Sequence, residues 1–387
     1  MTFLAKAGPV FLAGVSSFAF GFLALRTSQS QRKIIFGPLL ASWACAFING
    51  KHILPDQKAA NICVWFMLFY LEHIVNLLFI ERLDFRDRSW RETYFWLFNA
   101  RWIGTERSTH LVRRRVREQY DRDQQVTDQS KNHQVKGAKK PSRTRFALGR
   151  LAAALLKFVI FILYDDLVHE IGILGFETSD FSQSKAQLIR RVVWRDASLD
   201  IKRETLVRTW AVFDWHYNDF IFVGALHDVF ALVFVGIFRL DEPEDWPRLF
   251  GYLSDVTSMR TWYSQFWHML LYRSGIGMAK WSLKVVGKDK DRTSATRIFM
   301  ASCVFLLSAI NHLAHGYTMS GVLDWKSFTW WAALPLLLAV EEFGQRSLKA
   351  LFPWSQDDRY RQSRLWTGRL WVFAVFFWAV VKFQYQT

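Results

Sequence analysis

Residues 7–25 read AGPVFLAGVSSFAFGFLAL, nineteen positions without one charge. A bilayer core takes roughly 20 apolar residues as helix, so this stretch predicts a membrane span. It has no strongly basic leader and no clear cleavage site, and a second apolar stretch follows at once. It therefore reads as a retained span and not as a signal peptide. Further apolar windows lie at about 35–50, 60–80, 151–174, 207–240, 296–317, 329–345 and 366–384. The expected fold is all-α: a polytopic membrane bundle of about eight (seven to nine) transmembrane helices, one membrane-embedded domain over 1–387. The aromatic stretch 258–285 is too broken by polar residues to span, and it predicts a helix at the interface or folded into the protein.

The chain carries 50 Lys and Arg against 34 Asp and Glu, a formal charge of +16, yet it is 51% hydrophobic with 19 Trp and 35 Phe. A basic balance of that size suggests a polyanion partner. A soluble nucleic-acid binder has no use for so many Trp and Phe, and the same aromatic content excludes disorder. Charge crowded into the loops of a membrane protein reconciles the two. The loop 81–146 alone holds 17 Lys and Arg against 9 Asp and Glu, half of the whole excess, and is densest at Arg113-Arg114-Arg115-Val116-Arg117. The turn with Arg26, Arg32 and Lys33 is basic too, as is the loop 346–365. If 207–240 crosses once as a kinked helix, these three share one side, which the Lys/Arg bias makes cytosolic. The mildly basic loop 176–206 then falls on the lumenal side, and two crossings within 207–240 would flip everything after it. The polar stretch 123–146 reads as a flexible insertion without chemistry. Cys45, Cys63 and Cys303 sit in apolar stretches and read as small buried hydrophobes, not as disulfides or metal ligands.

Ionisable side chains at membrane depth are costly, so each one is a functional candidate. Three clusters stand out: Asp214, His216, Asn218, Asp219, His227 and Asp228; Arg260 with His268; and Asn311, His312 and His315. The third is the sharpest, because His312 and His315 are three apart and share a helix face. A neutral imidazole there can take a proton from a hydroxyl. The alternative reading is hydrogen bonding to neighbouring helices. For 214–228 a polar helix contact or kink is the stronger reading. A zinc site is weaker still, since no carboxylate or third ligand accompanies the histidines. Most Trp and Phe read as lipid-facing surface, with Trp246, Trp262, Trp267 and Trp281 kept as candidate pocket walls.

Trp246-Pro247-Arg248-Leu249-Phe250-Gly251, followed by Thr257-Ser258-Met259-Arg260-Thr261-Trp262 and Trp267-His268, resembles the W-P-x-L-F-G…T-S-L-R-x-F-W-G-R-R-W-H block of the wax synthase-like branch of the membrane-bound O-acyltransferases. Ser308-Ala309-Ile310-Asn311-His312 is similar to that family's S-G-x-x-H, and Asn99-Ala100-Arg101-Trp102-Ile103-Gly104 to an upstream R-G-I-G block of fungal members. The resemblance is strong over roughly 246–316. There are departures: Ser264-Gln265-Phe266 stands where the family has G-R-R, which removes two positive charges, and Ala309 replaces the small glycine.

The resemblance implies an acyltransferase of the endoplasmic reticulum membrane that moves an acyl group, acetyl in many fungal members, from acyl-CoA to a hydroxyl of a lipophilic acceptor. Terpenoid and polyketide metabolites are the acceptor class it points to. His312 matches the catalytic histidine and His268 the second polar position, with Asn311 and His315 beside them. Arg260, Trp267, Arg273 and Lys280 are the acyl-CoA-binding candidates; Asp214, His216, Asp219 and Trp262 are those for the acceptor. The acyl-CoA is a co-substrate, with no bound cofactor, metal or nucleic acid expected. Two alternatives stay open. One is a membrane-embedded isoprenoid cyclase with an Asp acid in 214–228, and the other a non-catalytic transport or scaffold protein.

Overall fold

The structure is a computed structural model that describes residues 3–103, 105, 142–170, 172–288, 293–353 and 357–384. The Arg113–Arg117 run, Gly104 and most of the stretch 123–146 lie outside them. In chain order the helices are α1 (Phe3–Leu25), α2 (Gln29–Ile48), α3 (Gln57–Val75, continued by a π-helical stretch Asn76–Ile80) and α4 (Trp90–Phe98). Next come α5 (Arg143–Asp165, continued as π-helix over Asp166–Glu170), α6 (Leu188–Val193), α7 (Ile201–Tyr217) and α8 (Gly224–Ala231). The rest are α9 (Met259–Thr261), α10 (Tyr272–Val285), α11 (Ser294–Ser320), α12 (Trp325–Leu351), α13 (Arg361–Ala379) and α14 (Val381–Gln384). The architecture is all-α, with no strand among the described residues.

Each apolar window falls on helix. Five runs are long and apolar enough to cross a membrane: Lys6–Leu25, Ala60–Ile80, Arg143–Val168, Ile201–Ile237 and Ala295–Ser320. Helices α2, α12 and α13 underlie the other three windows without reaching that length and apolarity among the described residues. The run Ile201–Ile237 is continuous through π-helical Asn218–Val223 and Leu232–Ile237. At 1.5 Å per residue it is about 55 Å long, enough for one crossing with a projecting end and too short for two crossings and a turn.

The surface is inverted relative to a water-soluble protein. Of α5 only Ala154 is buried, while Leu148, Leu155, Leu156, Ile162 and Leu163 are each more than half exposed. In water that face would be an aggregation site. In hydrocarbon it costs nothing, and the helix satisfies its own backbone groups.

The chain divides into two compact units, residues 1–112 with 269–340, and residues 113–268 with 341–387. In the first, the Tyr70 hydroxyl donates to the Ser17 carbonyl at 2.9 Å. Gly21 permits it, because a Cβ there would fall 2.1 Å from that hydroxyl. The Trp43 indole donates to the Met67 carbonyl at 2.7 Å, tying α2 to α3. Gly275 brings α10 against α11, with its hypothetical Cβ 2.9 Å from the Val304 Cα. In the second unit, Arg150 and Lys157 of α5 both pair with Asp228 of α8, at 2.6 and 2.5 Å.

Two expectations need correction. The stretch 258–285 is not one helix: α9 and π-helical Trp262–Phe266 end where Trp267 turns extended, and the chain restarts as α10. The Gly251 N–H takes the Phe266 carbonyl at 2.8 Å, so that carbonyl no longer accepts from a following helical turn. Cys45, expected to be buried, is exposed on α2.

Candidate active site

In the first unit the histidines of α11 meet an aromatic wall. His312 and His315 share Trp65 of α3 as a neighbour. The indole is edge-on to His312, with ring centres 4.7 Å apart, and stacks on His315 at 4.5 Å. Trp331 of α12 stacks on His312 at 4.6 Å. Contacts of this kind contribute about 0.5–1.5 kcal/mol each beyond burial, enough to hold an imidazole in one orientation. His315 Nε2 donates to the Asn61 side-chain carbonyl on α3. Asn311, nearly fully buried, faces the Glu72 carboxyl on the same helix. The spacing argument thus placed the two histidines on one face correctly, but it passed over their partners. Asn61, Trp65 and Glu72 lie in the window 60–80, where averaging over apolar residues hides them. An acidic residue inside a span was the signal that could have found Glu72.

The W-P-x-L-F-G…W-H block lies in the second unit, and much of it serves to fold itself. Gly251 is required by contact, since a Cβ there would fall 2.0 Å from the Gln265 carbonyl. The Ser258 hydroxyl caps α9, accepting from the Thr261 N–H at 3.0 Å. Glu341 completes the cap: its carboxylate accepts from the Met259 and Arg260 backbone N–H groups at 2.8 and 3.2 Å, and from the Trp371 indole at 2.6 Å. Arg260 itself points outward, 70% exposed, and pairs with Glu342 at 2.9 Å. Trp262, Trp267 and Phe376 surround His216 with ring centres 4.7, 6.1 and 4.3 Å away, while His216 Nδ1 donates to the Val212 carbonyl at 2.8 Å. His268 lies beside Trp267 and Phe250, at 5.3 and 6.0 Å.

The remaining candidates scatter. Arg273 of α10 lies over the Trp102 ring, 3.9 Å from its centre, and 3.6 Å from Glu81, all within the first unit. Lys280 is exposed on the same helix. Asp214 accepts from the Tyr164 hydroxyl at 3.1 Å, a polar contact between α5 and α7. Asp219 is exposed. Asp228 is engaged by two cations, so it has no open face from which to protonate an olefin. The four catalytic candidates divide between the units: Asn311, His312 and His315 belong to the first, His268 to the second.

A stretch that takes in Trp246, His268 and the whole Asn311–His315 turn carries the comparison with known proteins. Residues 246–334 match the Membrane bound O-acyl transferase family. Two curated relatives are both fungal and both named acetyltransferases. Acetyltransferase ataH of Aspergillus terreus is 26% identical over 93 residues, which is 24% of this chain and 30% of the relative. Acetyltransferase aurG of Calcarisporium arbuscula is 23% identical over 245 residues, 62% of this chain and 56% of the relative. The chain thus spans less than two thirds of the length of either. No solved structure matches it.

Proposed function

We propose that the protein is a membrane-bound O-acyltransferase that moves an acyl group, acetyl in the first instance, from acyl-CoA to a hydroxyl of a lipophilic acceptor. The observation that carries this reading is the family match over 246–334, which includes both motif histidines. The names of the two relatives favour acetyl. In the reaction His312 takes the proton of the acceptor hydroxyl, and the oxygen attacks the thioester carbonyl. Asn311, in the same unit as His312, is the candidate donor to the tetrahedral oxyanion, an interaction worth about 3–4 kcal/mol when the donor is preorganised. Collapse expels the CoA thiolate, which takes the proton back from His312, leaving an ester and free CoA. Acceptors of terpenoid or polyketide type would reach the site from the bilayer, and acyl-CoA from the basic cytosolic side. Arg273 and Lys280, both within the matched stretch, are the cations to test for CoA.

The test supplies radiolabelled acetyl-CoA to membranes that contain the protein and looks for a labelled lipophilic ester. Replacing His312 by Ala is expected to lower label transfer by about 10²–10⁴-fold, the usual worth of a general base. Retained wild-type turnover would remove His312 from the mechanism.

A further inference from the structure

On a helix that faces water, polar side chains turn outward and apolar ones inward. Helix α6 and the two residues after it do the reverse. The stretch reads Leu188-Ile189-Arg190-Arg191-Val192-Val193-Trp194-Arg195, three arginines without an acid. The side chain turned inward is Arg191. Its Nε donates to the Asp196 carboxylate at 2.7 Å, its Nη2 to the Ser198 hydroxyl at 3.2 Å and its Nη1 to the Glu204 carboxylate of α7. Left outside are Ile189, Val193 and Trp194, which are 64%, 71% and 77% exposed. Ile189 and Val193 lie one turn apart on a single face. The network around Arg191 makes this inversion a built feature and not the looseness of a loop.

Its surroundings fix the level at which α6 sits. The apolar run that begins in α5 ends at Val168 and the next begins at Ile201, so α6 lies in the link between them. Arg208, one turn along α7 from Glu204, is fully buried, and its Nη2 donates to the Lys185 and Ala186 carbonyls just before α6, at 2.6 and 3.1 Å. The same guanidinium lies 5.8 Å from the ring centre of Phe377 on α13. Phe377 falls near the end of the apolar window 366–384, and Lys382 lies over the Trp378 ring, 3.4 Å from its centre. A lysine with a tryptophan at the end of an apolar helix is typical of a membrane–water boundary. The link is thus held beside that boundary, with an apolar face that water would penalise. Headgroup level suits it: the indole is amphipathic, and the exposed Arg190 and Arg195 match lipid phosphate oxygens. The acids Asp196 and Glu204 are already taken by Arg191. We infer that residues 188–195 form a membrane-interface anchor. Ile189, Val193 and Trp194 enter the edge of the acyl chains, and Arg190 and Arg195 meet lipid phosphates. The partner of this face is the bilayer in which the chain is embedded, so the link lies along the membrane and does not project into water.

The test places a nitroxide at Ile189→Cys and, separately, at Val193→Cys, in the full-length chain with Cys45, Cys63 and Cys303 replaced by alanine and reconstituted in phosphatidylcholine vesicles. Either position suffices if the other variant fails to elute as a single species. Power saturation reads collision with oxygen, which concentrates in hydrocarbon, and with a water-soluble nickel chelate. The same label at Leu155→Cys on the exposed face of α5 is the lipid reference, and the free label in water is the aqueous one. The oxygen-to-nickel ratio at both positions is expected severalfold above the aqueous value, at a depth of roughly 5–10 Å into the headgroup and acyl-chain boundary. Two results overturn the inference. A ratio equal to the aqueous value would show a link that projects into water. Loss of collision with both reagents would show a face covered by protein, from a second copy or from another segment of this chain. The readout needs no acyl-CoA and is independent of the proposed reaction.

Discussion

Glu341 is expected to be worth more to this protein than its neighbour Glu342, although both are acidic, adjacent and close to the T-S-M-R block. The Glu341 carboxylate gathers three donors, the Met259 and Arg260 backbone N–H groups and the Trp371 indole, and Met259 is fully buried. One oxygen serves Met259 and Trp371 and the other serves Arg260. Glu341→Gln keeps a single accepting oxygen and points an amide N–H at whatever the other oxygen held. At least one buried donor is then orphaned, at about 1–3 kcal/mol. The surviving bonds lose their charge assistance, which adds roughly 1 kcal/mol. The sum is about 2–4 kcal/mol. Glu342 only pairs with exposed Arg260 and Arg346, and Glu342→Gln should cost under about 1 kcal/mol. At roughly 2 °C per kcal/mol, the low end for domains of 150–250 residues, Glu341→Gln lowers the unfolding midpoint by about 4–8 °C and Glu342→Gln by at most about 2 °C. Intrinsic tryptophan fluorescence of the detergent-solubilised protein reads both. Equal midpoints for the two variants would refute the capping argument for the motif.

Three further outcomes follow from the same geometry. Asp228→Asn leaves Arg150 and Lys157 facing a neutral amide, and breaking a buried ion pair in this way costs about 3–5 kcal/mol; it should abolish recovery of monodisperse protein on size-exclusion chromatography, whereas Asp219→Asn should not. Gly251→Ala drives a Cβ into the Gln265 carbonyl and is expected to lose label transfer and midpoint together, while Ala at Gly149, where the same test finds open space, leaves both unchanged. The third concerns pH. Hydrogen bonds from the Arg191 guanidinium first, and then from Ser198, hold the Asp196 carboxyl down at about 2 against an ordinary 3.8. A depressed folded value means stability that is complete above about pH 4 and lost as pH falls towards 2. Hydrogen exchange across 188–200 should therefore accelerate, after correction for the intrinsic rate, only below about pH 4. Acceleration beginning near neutral pH would contradict it.

The helices were legible because long apolar runs with at most one charge leave few alternatives, as in 7–25 and 296–317. One crossing or two of 207–240 stayed open in the sequence; the helix unbroken over 201–237 has length enough for one. What stayed hidden was long-range. The break at Trp267 depends on the Gly251 N–H reaching the Phe266 carbonyl, and no local pattern announces that bond. Arg260 stood out as the cation of the motif; that its backbone N–H caps onto Glu341 while its side chain pairs with Glu342 at the surface had no local signal. His312 and His315 were legible by spacing. Their partners on α3 were not, since contact across 250 positions leaves no periodic trace.

Each compact unit is assembled from two separated pieces of chain, and this sets a timetable for synthesis. Asn61, Glu72 and Asn76 enter with α3, but Gly277 of α10, which meets Asn76, and the turn of α11 that faces Asn61 and Glu72 come only later, that turn after residue 311. At about 5–20 residues per second, the ribosome takes roughly ten seconds to most of a minute to deliver it. Through that interval three polar side chains wait in a span without the full set of helices that meet them. An intermediate of this kind is a natural client for an insertion chaperone. Delays in translation between α3 and α11 should harm yield more than delays after α11.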